Sequence, residues 1–145
     1  MEIAKTRDGK TPTRGTINSA GIDFYVPNDH EPIVVQPGCA CFIKSGIHAK
    51  VPTNHALIAF NKSGVSLKKR LAVGACVVDA DYQGEIHLHL INVGIADAYI
   101  NPGDKVVQFI LLPILSNSVK VVEELADLYE TETDRGTGGF GSTGR

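Results

Sequence analysis

The sequence predicts an all-β domain, a sandwich or barrel of short strands, and three observations carry that prediction. Apolar runs of strand length recur at short intervals; Gly, Pro, Asn or Asp bounds them; and residues 85–90 alternate strictly, with Ile86, Leu88 and Leu90 on one face and Glu85, His87 and His89 on the other. In chain order, the first run, 23–26, stops at Pro27. The second, 32–36, is centred on Ile33-Val34-Val35 and ends in the turn Gln36-Pro37-Gly38. The third, 39–43, starts directly after that turn and sets Cys39 and Cys41 on a shared strand face, where buried, inert thiols are expected. The fourth, 55–60, lies between Asn54 and Asn61, and the fifth, 73–78, runs up to Asp79. The turn Asp81-Tyr82-Gln83-Gly84 leads into the sixth, 85–91. The turn Asn101-Pro102-Gly103-Asp104 precedes the seventh, 106–112.

Two stretches favour helix. One is 63–70; the other is 121–129, where Val122, Leu125 and Leu128 or Tyr129 recur at helical spacing, although Val119 and Val121 equally continue a strand. Beyond Tyr129 the apolar pattern stops, which places a domain over 1–128 and an arm over 129–145. The arm ends in a stretch of Gly, Ser and Thr with one aromatic and two Arg, a composition that packs no core and reads by itself as a flexible tail.

The chain has 145 residues, weighs 15.5 kDa and is 43% apolar, which suits one domain with a real core. Fourteen Lys and Arg against sixteen Asp and Glu give a formal charge of −2 and a pI near 6.2, too close to neutral for stable nucleic-acid binding through the phosphates. Phosphate recognition must then be local. Three Cys, an odd number, argue against a disulfide scaffold and for a reducing compartment. No apolar stretch approaches the roughly 18 residues of a membrane span, and the N-terminus lacks a signal-peptide core. A soluble, cytoplasmic protein with no membrane partner is expected.

Three clusters bear chemistry. In the tail, residues 136–141 fit Gly-x-Gly-x-x-Gly, but no strand leads in and no helix follows, so this is not a dinucleotide fingerprint. Closely spaced glycines flanked by Arg135, Ser142 and Thr143 can still wrap a polyphosphate, and Phe140 suits stacking on a base. In the second cluster Asp79 and Asp81, two residues apart after an apolar strand, can face one side of extended chain and serve as a general base or bind a cation through water. The plain alternative is an Asx-type turn opening a hairpin. In the third, Asn61-Lys62-Ser63-Gly64 joins a strand to a short helix and offers amides, a hydroxyl and a positive charge to an anion, or else a helix cap. His87 and His89 share a strand face, but no third ligand closes a metal site, and partly solvated polar-face residues are expected.

The motifs AGIDF at 20–24, NKSG at 61–64, VVDADYQGE at 77–85, PGDKVVQFI at 102–110 and RGTGGFGSTG at 135–144, with PTRGT at 12–16 before them, occur in this order over nearly the whole chain. In this the sequence resembles the homotrimeric dUTPase family. The resemblance implies a β-sandwich of jelly-roll type, the dUTPase-like β-clip, and a homotrimer with three shared active sites. It implies hydrolysis of dUTP to dUMP and pyrophosphate, with Mg²⁺ on the triphosphate held mainly through phosphates and water rather than by a direct protein ligand. This reaction keeps uracil out of DNA and supplies dUMP for dTMP synthesis. Carried over to this chain, Asp79 orients and deprotonates the attacking water, with Asp81 in support. Tyr82 packs under the deoxyribose. The backbone of residues 74–77, Gly74 and Val77 included, reads the uracil edge. Lys62, Ser63, Gly64 and Gln108 lie along the phosphates, and Asp23 organises the network around phosphates and metal. Arg135, Ser142 and Thr143 grip the outer phosphates, while Phe140 and Gly141 belong to the arm that closes over the uracil.

Three departures from the family pattern stand out. Asn61-Lys62-Ser63 replaces Pro-Arg-Ser, keeping charge but losing the planar fork of Arg. Cys76 occupies a hairpin position where Gly is common, and the segment before Arg135 is slightly long, which favours extended chain over helix at 121–129. The alternatives are a dCTP deaminase of the same fold, whose corresponding loop has Pro and Gly after the Asp, and a nucleotide-responsive binding module that regulates a protein partner.

Overall fold

The computed structural model describes residues 1–139, which form eleven strands and one α-helix. In order these are β1 (Glu2–Lys5), β2 (Thr13–Arg14), β3 (Ile22–Tyr25), β4 (Ile33–Val35), β5 (Ala40–Lys50), β6 (His55–Asn61), α1 (Ser63–Lys69), β7 (Leu71–Val73), β8 (Val77–Val78), β9 (Ile86–Asn92), β10 (Ala98–Ile100) and β11 (Lys105–Pro113). A four-stranded sheet runs β1-β5-β9-β7, a five-stranded sheet runs β2-β3-β11-β6-β8, and β4 pairs with β10. Every pairing is antiparallel. The result is the all-β, jelly-roll type sandwich expected.

Alternation places the core. Along β9, Ile86, Leu88 and Leu90 are buried while His87 and His89 are half-buried, and Phe24 of β3 meets Phe109 of β11 with ring centroids 4.5 Å apart. These side chains join Ile43, Leu57 and Leu71 in one cluster. Each fully buried Leu, Ile or Phe contributes about 1.5–3 kcal/mol. Asn92 is a fully buried polar residue in that setting. Its amide donates to the Val35 and Ala96 carbonyls at 2.7 and 2.8 Å and accepts from Gly94 N–H at 2.9 Å, so no polar group is left without a partner.

Three elements differ from the sequence expectation. The run at 39–43 extends to Lys50, because a bulge between Lys44 and Ile47 carries the strand past Ser45-Gly46. Distant partners hold the bulge: Ser45 Oγ donates to the Ile86 carbonyl, and the Gly46 N–H donates to Glu85 Oε1 at 2.7 Å. Cys39 lies outside β5 and is exposed, and Cys41 is half-buried, so the expected buried pair is not formed; all three cysteines are free thiols. The run at 73–78 is not one strand: β7 ends in the four-stranded sheet, β8 starts in the five-stranded sheet, and residues 74–76 cross between them.

The packed body is Met1–Leu115, and Ser116–Arg145 forms a second unit. The body closes earlier than the boundary at 128 drawn from the apolar pattern, since Leu115, Val119 and Val121 remain exposed. Of the helical reading at 121–129 only a 3-10 turn, Leu125–Asp127, is formed. Its leucine is exposed and the stretch has no buried face to stabilise more turns.

Candidate functional site

One group of predicted site residues gathers where β3, β6 and β11 run side by side. Register sets Gln108 opposite Asp23 on one flank and Phe60 on the other. Asp23 is buried, and its carboxylate is held by two ammonium groups, Lys62 Nζ on Oδ1 and Lys105 Nζ on Oδ2 at 3.3 Å. A buried carboxylate needs such partners, and losing one strands the charge. Lys62 thus keeps the coupling to Asp23 without the fork of an arginine. Gln108 Nε2 donates to the Asn61 carbonyl at 2.8 Å, fixing its amide beside the strand end from which Lys62 projects. Ser63 and Gly64, exposed, open α1, whose first turn is closed by Ser66 N–H donating to the Lys62 carbonyl at 2.8 Å. The cap carries no side-chain hydrogen bond, so the reading of this motif as a helix cap is not realised.

A second group forms around the crossing at 74–76 and the turn after β8. Gly74 N–H donates to the His89 carbonyl at 3.0 Å, while Ala59 N–H donates to the Cys76 carbonyl at 2.7 Å, so the crossing is tied to both sheets. Strand β8 pairs with β6 through Leu57 opposite Val78 and Ile58 opposite Val77. Asp79 begins a turn closed by its own backbone carbonyl, which accepts Tyr82 N–H at 3.3 Å. Both Asp79 and Asp81 are exposed, and among the described residues neither carboxylate is hydrogen-bonded or ion-paired. The Asx-turn alternative therefore does not form, and the Asp79 carboxylate is unspent. Beside it opens a cleft of about 230 Å³ lined by Ala75, Cys76, Val77, Val78, Tyr82, Phe42 and His87 among others. Larger clefts of about 380 and 550 Å³ lie along Lys68-Lys69-Arg70 and along β1, and neither takes in residues 74–79.

Asp23, Lys62, Ser63 and Gln108 do not line the 230 Å³ cleft, but Asn61 links the two groups, its carbonyl accepting from Gln108 Nε2 at 2.8 Å and its Oδ1 from the Val73 N–H at 2.7 Å. Arg135 sits in a turn of the second unit, its Nε donating to the Gly138 carbonyl at 2.9 Å. Phe140, Gly141, Ser142 and Thr143 lie outside the described residues. Among the described residues no three His, Cys, Asp or Glu side chains group as a metal site, and no helix is long and apolar enough to cross a membrane. His87 instead stacks on Phe42 at 4.6 Å between centroids.

Beside the first group, the Lys69 ammonium pairs with Asp104 at 2.7 Å and donates to the Tyr99 carbonyl at 2.9 Å. Burial raises the Asp104 carboxyl, but the Lys69 hydrogen bond, the Asn101 amide and the Lys69 charge outweigh it and hold the group below the usual carboxylate range. Burial pushes the Cys41 thiol up against a weaker backbone hydrogen bond from Leu90. Sequence reasoning missed Lys105 and His89 as parts of these groups, and it placed Asn61 in its motif without the bonds it makes to Gln108 and Val73. Each acts through a strand partner, and only the register reveals which.

The dUTPase family model matches residues 7–144. Among curated relatives, the deoxyuridine 5'-triphosphate nucleotidohydrolase of Maricaulis maris is 41% identical over 140 residues, spanning 92% of this chain and 86% of the relative. The enzyme of the same name from Kluyveromyces lactis is 38% identical over 141 residues, spanning 97% and 90%. Among solved structures, the dUTPase of Staphylococcus bacteriophage 80alpha with dUPNHPP superposes with a TM-score of 0.85 at 23% identity, covering 99% of this chain and 98% of that one. A mutant dUTPase from phage phi11 of S. aureus, described as revealing the coordination of a structural Mg(II) ion, gives a TM-score of 0.76 at 24% identity, covering 86% and 97%.

Proposed function

The chain belongs to the dUTPase family and hydrolyses dUTP to dUMP and pyrophosphate, and on that premise we propose that Asp79 is its general base. The observation that supports this is the exposed, unspent Asp79 carboxylate at the end of a strand that borders the Tyr82 cleft. Asp79 holds a water in line with the α-phosphorus and accepts its proton. The water oxygen bonds to that phosphorus as the bond to the bridging oxygen breaks, and pyrophosphate leaves. Asp81 supports the base. Tyr82 packs under the deoxyribose, and the backbone of residues 74–77 reads the uracil edge. Ser63, Gly64 and Gln108 receive the phosphates, with Lys62 and Lys105 balancing Asp23 beside them. Arg135, Ser142 and Thr143 grip the outer phosphates while Phe140 stacks on the base.

Magnesium fits this residue set when it arrives with the triphosphate. Gln108 would offer an amide oxygen, of the class that holds this ion through its own waters, while both Asp23 oxygens are already paired by Lys62 and Lys105, and an ion held chiefly by phosphates needs no protein cage. When bound, it shields phosphate charge.

We further infer that the active form is a homotrimer acting on free dUTP in the cytoplasm. Each site takes the Asp23–Lys62–Gln108 group from one chain, the hairpin and Asp79 from a second, and the arm from the third. Support comes from the exposed Leu115, Val119 and Val121, which find no partner strand among the described residues.

Pyrophosphate release measured for dUTP, dTTP, dCTP and UTP, each with and without Mg²⁺, tests the reading. dUTP with Mg²⁺ is the expected preferred substrate. Ammonia release from dCTP would overturn it; the relatives described above are named for dUTP, and the deaminase alternative is not favoured.

A further inference from the structure

The crossing at 74–76 presents a physical problem. The β7–β9 ladder ends at Val73 opposite Leu90, and the chain then leaves one sheet for the other. Amides in such a crossing lose their ladder partners, yet a backbone that reads a base must hold its direction before the base arrives, because ordering it on binding weakens affinity. The structure resolves this with a single residue. Gly74 N–H donates to the His89 backbone carbonyl at 3.0 Å, and Ala75 N–H donates to His89 Nδ1 at 2.7 Å. The imidazole accepts at Nδ1, so in its neutral form it carries its proton on Nε2.

The ring is fixed from both sides. A Cβ on Gly74 would stand 2.2 Å from His89 Nδ1 and 2.4 Å from Cε1, so the imidazole occupies the space that the missing side chain leaves open. On β5, Phe42 stands opposite His89 in register and meets its ring edge-on at 5.6 Å, while the other contact of Phe42, the stack on His87, holds the phenyl in place. Nothing in the motifs assigns a role to His89.

We propose that His89 is a positioning residue for base recognition, its imidazole setting the 74–77 backbone through the Ala75 amide and through its packing on Gly74. The inference rests on the reading of that backbone as the uracil site. Asp79 is held independently, through the pairing of β8 with β6. Losing the His89 acceptor therefore loosens the grip on the base without moving the base catalyst.

The test pairs two substitutions of the same branched shape. His89→Leu removes the acceptor, and His89→Asn restores one at the place of Nδ1. The expected result for His89→Leu is a KM for dUTP raised about tenfold with kcat within about twofold, the signature of lost binding, and recovery of most of that change in His89→Asn. Equal KM values in wild type and His89→Leu, or equal damage in both variants, would overturn the proposal. A second measurement uses the unaltered protein and holds even if a variant does not fold. A ¹⁵N–¹⁵N coupling across the hydrogen bond between the Ala75 amide and His89 Nδ1 is expected, and its absence overturns the proposal. Titration with dUMP separates the two ideas, because amide signals of residues 75–77 that ignore dUMP would refute the uracil-site reading whether or not the coupling is present.

Discussion

The hydroxyl of Tyr82 donates to the backbone carbonyl of Glu85 at 2.9 Å, and its ring lies over the intervening Gly84. A Cβ on Gly84 would stand 2.3 Å from the hydroxyl oxygen and 2.4 Å from Cζ. The turn thus fixes the ring that lines the 230 Å³ cleft, and if Tyr82 packs under the deoxyribose as proposed, Gly84 sets its position. Gly84→Ala must push the ring aside, and with it the surface against which a ribose 2′-hydroxyl clashes. Selectivity for dUTP over UTP, read as the ratio of kcat/KM values, is expected to fall by about ten- to a hundredfold. Tyr82→Phe, which loses only the anchor to Glu85, should fall between wild type and Gly84→Ala. An unchanged ratio in Gly84→Ala would remove Tyr82 from the sugar site.

Asp79→Asn preserves shape but cannot take the water's proton. Its kcat should drop by at least ~10² while nucleotide binding, read by calorimetry with a non-hydrolysable analogue, survives. Asp81→Asn should lose less if, as proposed, its carboxylate only supports the base. Equal losses of kcat in the two variants would leave the choice of base without support.

The neighbourhood of Asp79 was readable in the sequence because its geometry is local: an apolar strand end, a turn, and a glycine immediately before an alternating run. The strand faces were readable for the same reason, since period-two alternation in 85–90 depends on no distant residue. What escaped depends on partners far along the chain. β5 passes Ser45-Gly46 because Glu85 and the Ile86 carbonyl wait there, and no local signal distinguishes that bulge from a turn. The run 73–78 reads as one strand because its residues are uniformly apolar or small, and only the packing of two sheets decides that it must change sheets at Gly74. Lys105 and His89 are invisible for a related reason, each reaching its target across a strand pair. Residues 140–143 enter through the motif alone.

Asp104 links the fold to pH. Its carboxyl lies below the usual range in the folded chain, so the folded state gives up that proton more readily than the unfolded one. The stabilisation is therefore complete above the unfolded value, about 4, and is lost as pH falls through the lower folded value. Urea midpoints of wild type and Asp104→Asn should differ at neutral pH and converge as the pH drops below about 4. A gap that stays constant down to pH 3 would separate the Lys69 pair from the stability of the body. Partial exposure of both side chains keeps the effect modest.

The arm makes its own prediction. Phe140→Ala should weaken binding of the nucleotide by about 1–3 kcal/mol, the usual worth of a base stacked on an aromatic ring. Truncation after Asp134 should cost more, since it also deletes Arg135, Ser142 and Thr143. Unaltered KM and kcat in the truncated protein would make the tail the simple linker that its composition suggests.

Mixing two dead proteins tests the shared site. Chains with Asp79→Asn have no base but an intact arm, whereas chains truncated after Asp134 have a base and no arm, so each homotrimer should be nearly inactive. Where base and arm of one site come from different subunits, co-refolding equal amounts fills each of two independent positions correctly half the time. About one quarter of the sites are then rebuilt in a symmetric ring, and activity returns. Where both elements belong to one chain, every site in every mixed trimer lacks one of them, and mixing restores nothing. Native mass measurement confirms that mixed trimers have formed before the assay is read. Mixed trimers without activity would therefore exclude the three-chain site while leaving dUTP hydrolysis itself untouched, because the wild-type chain would still carry base, hairpin and arm together.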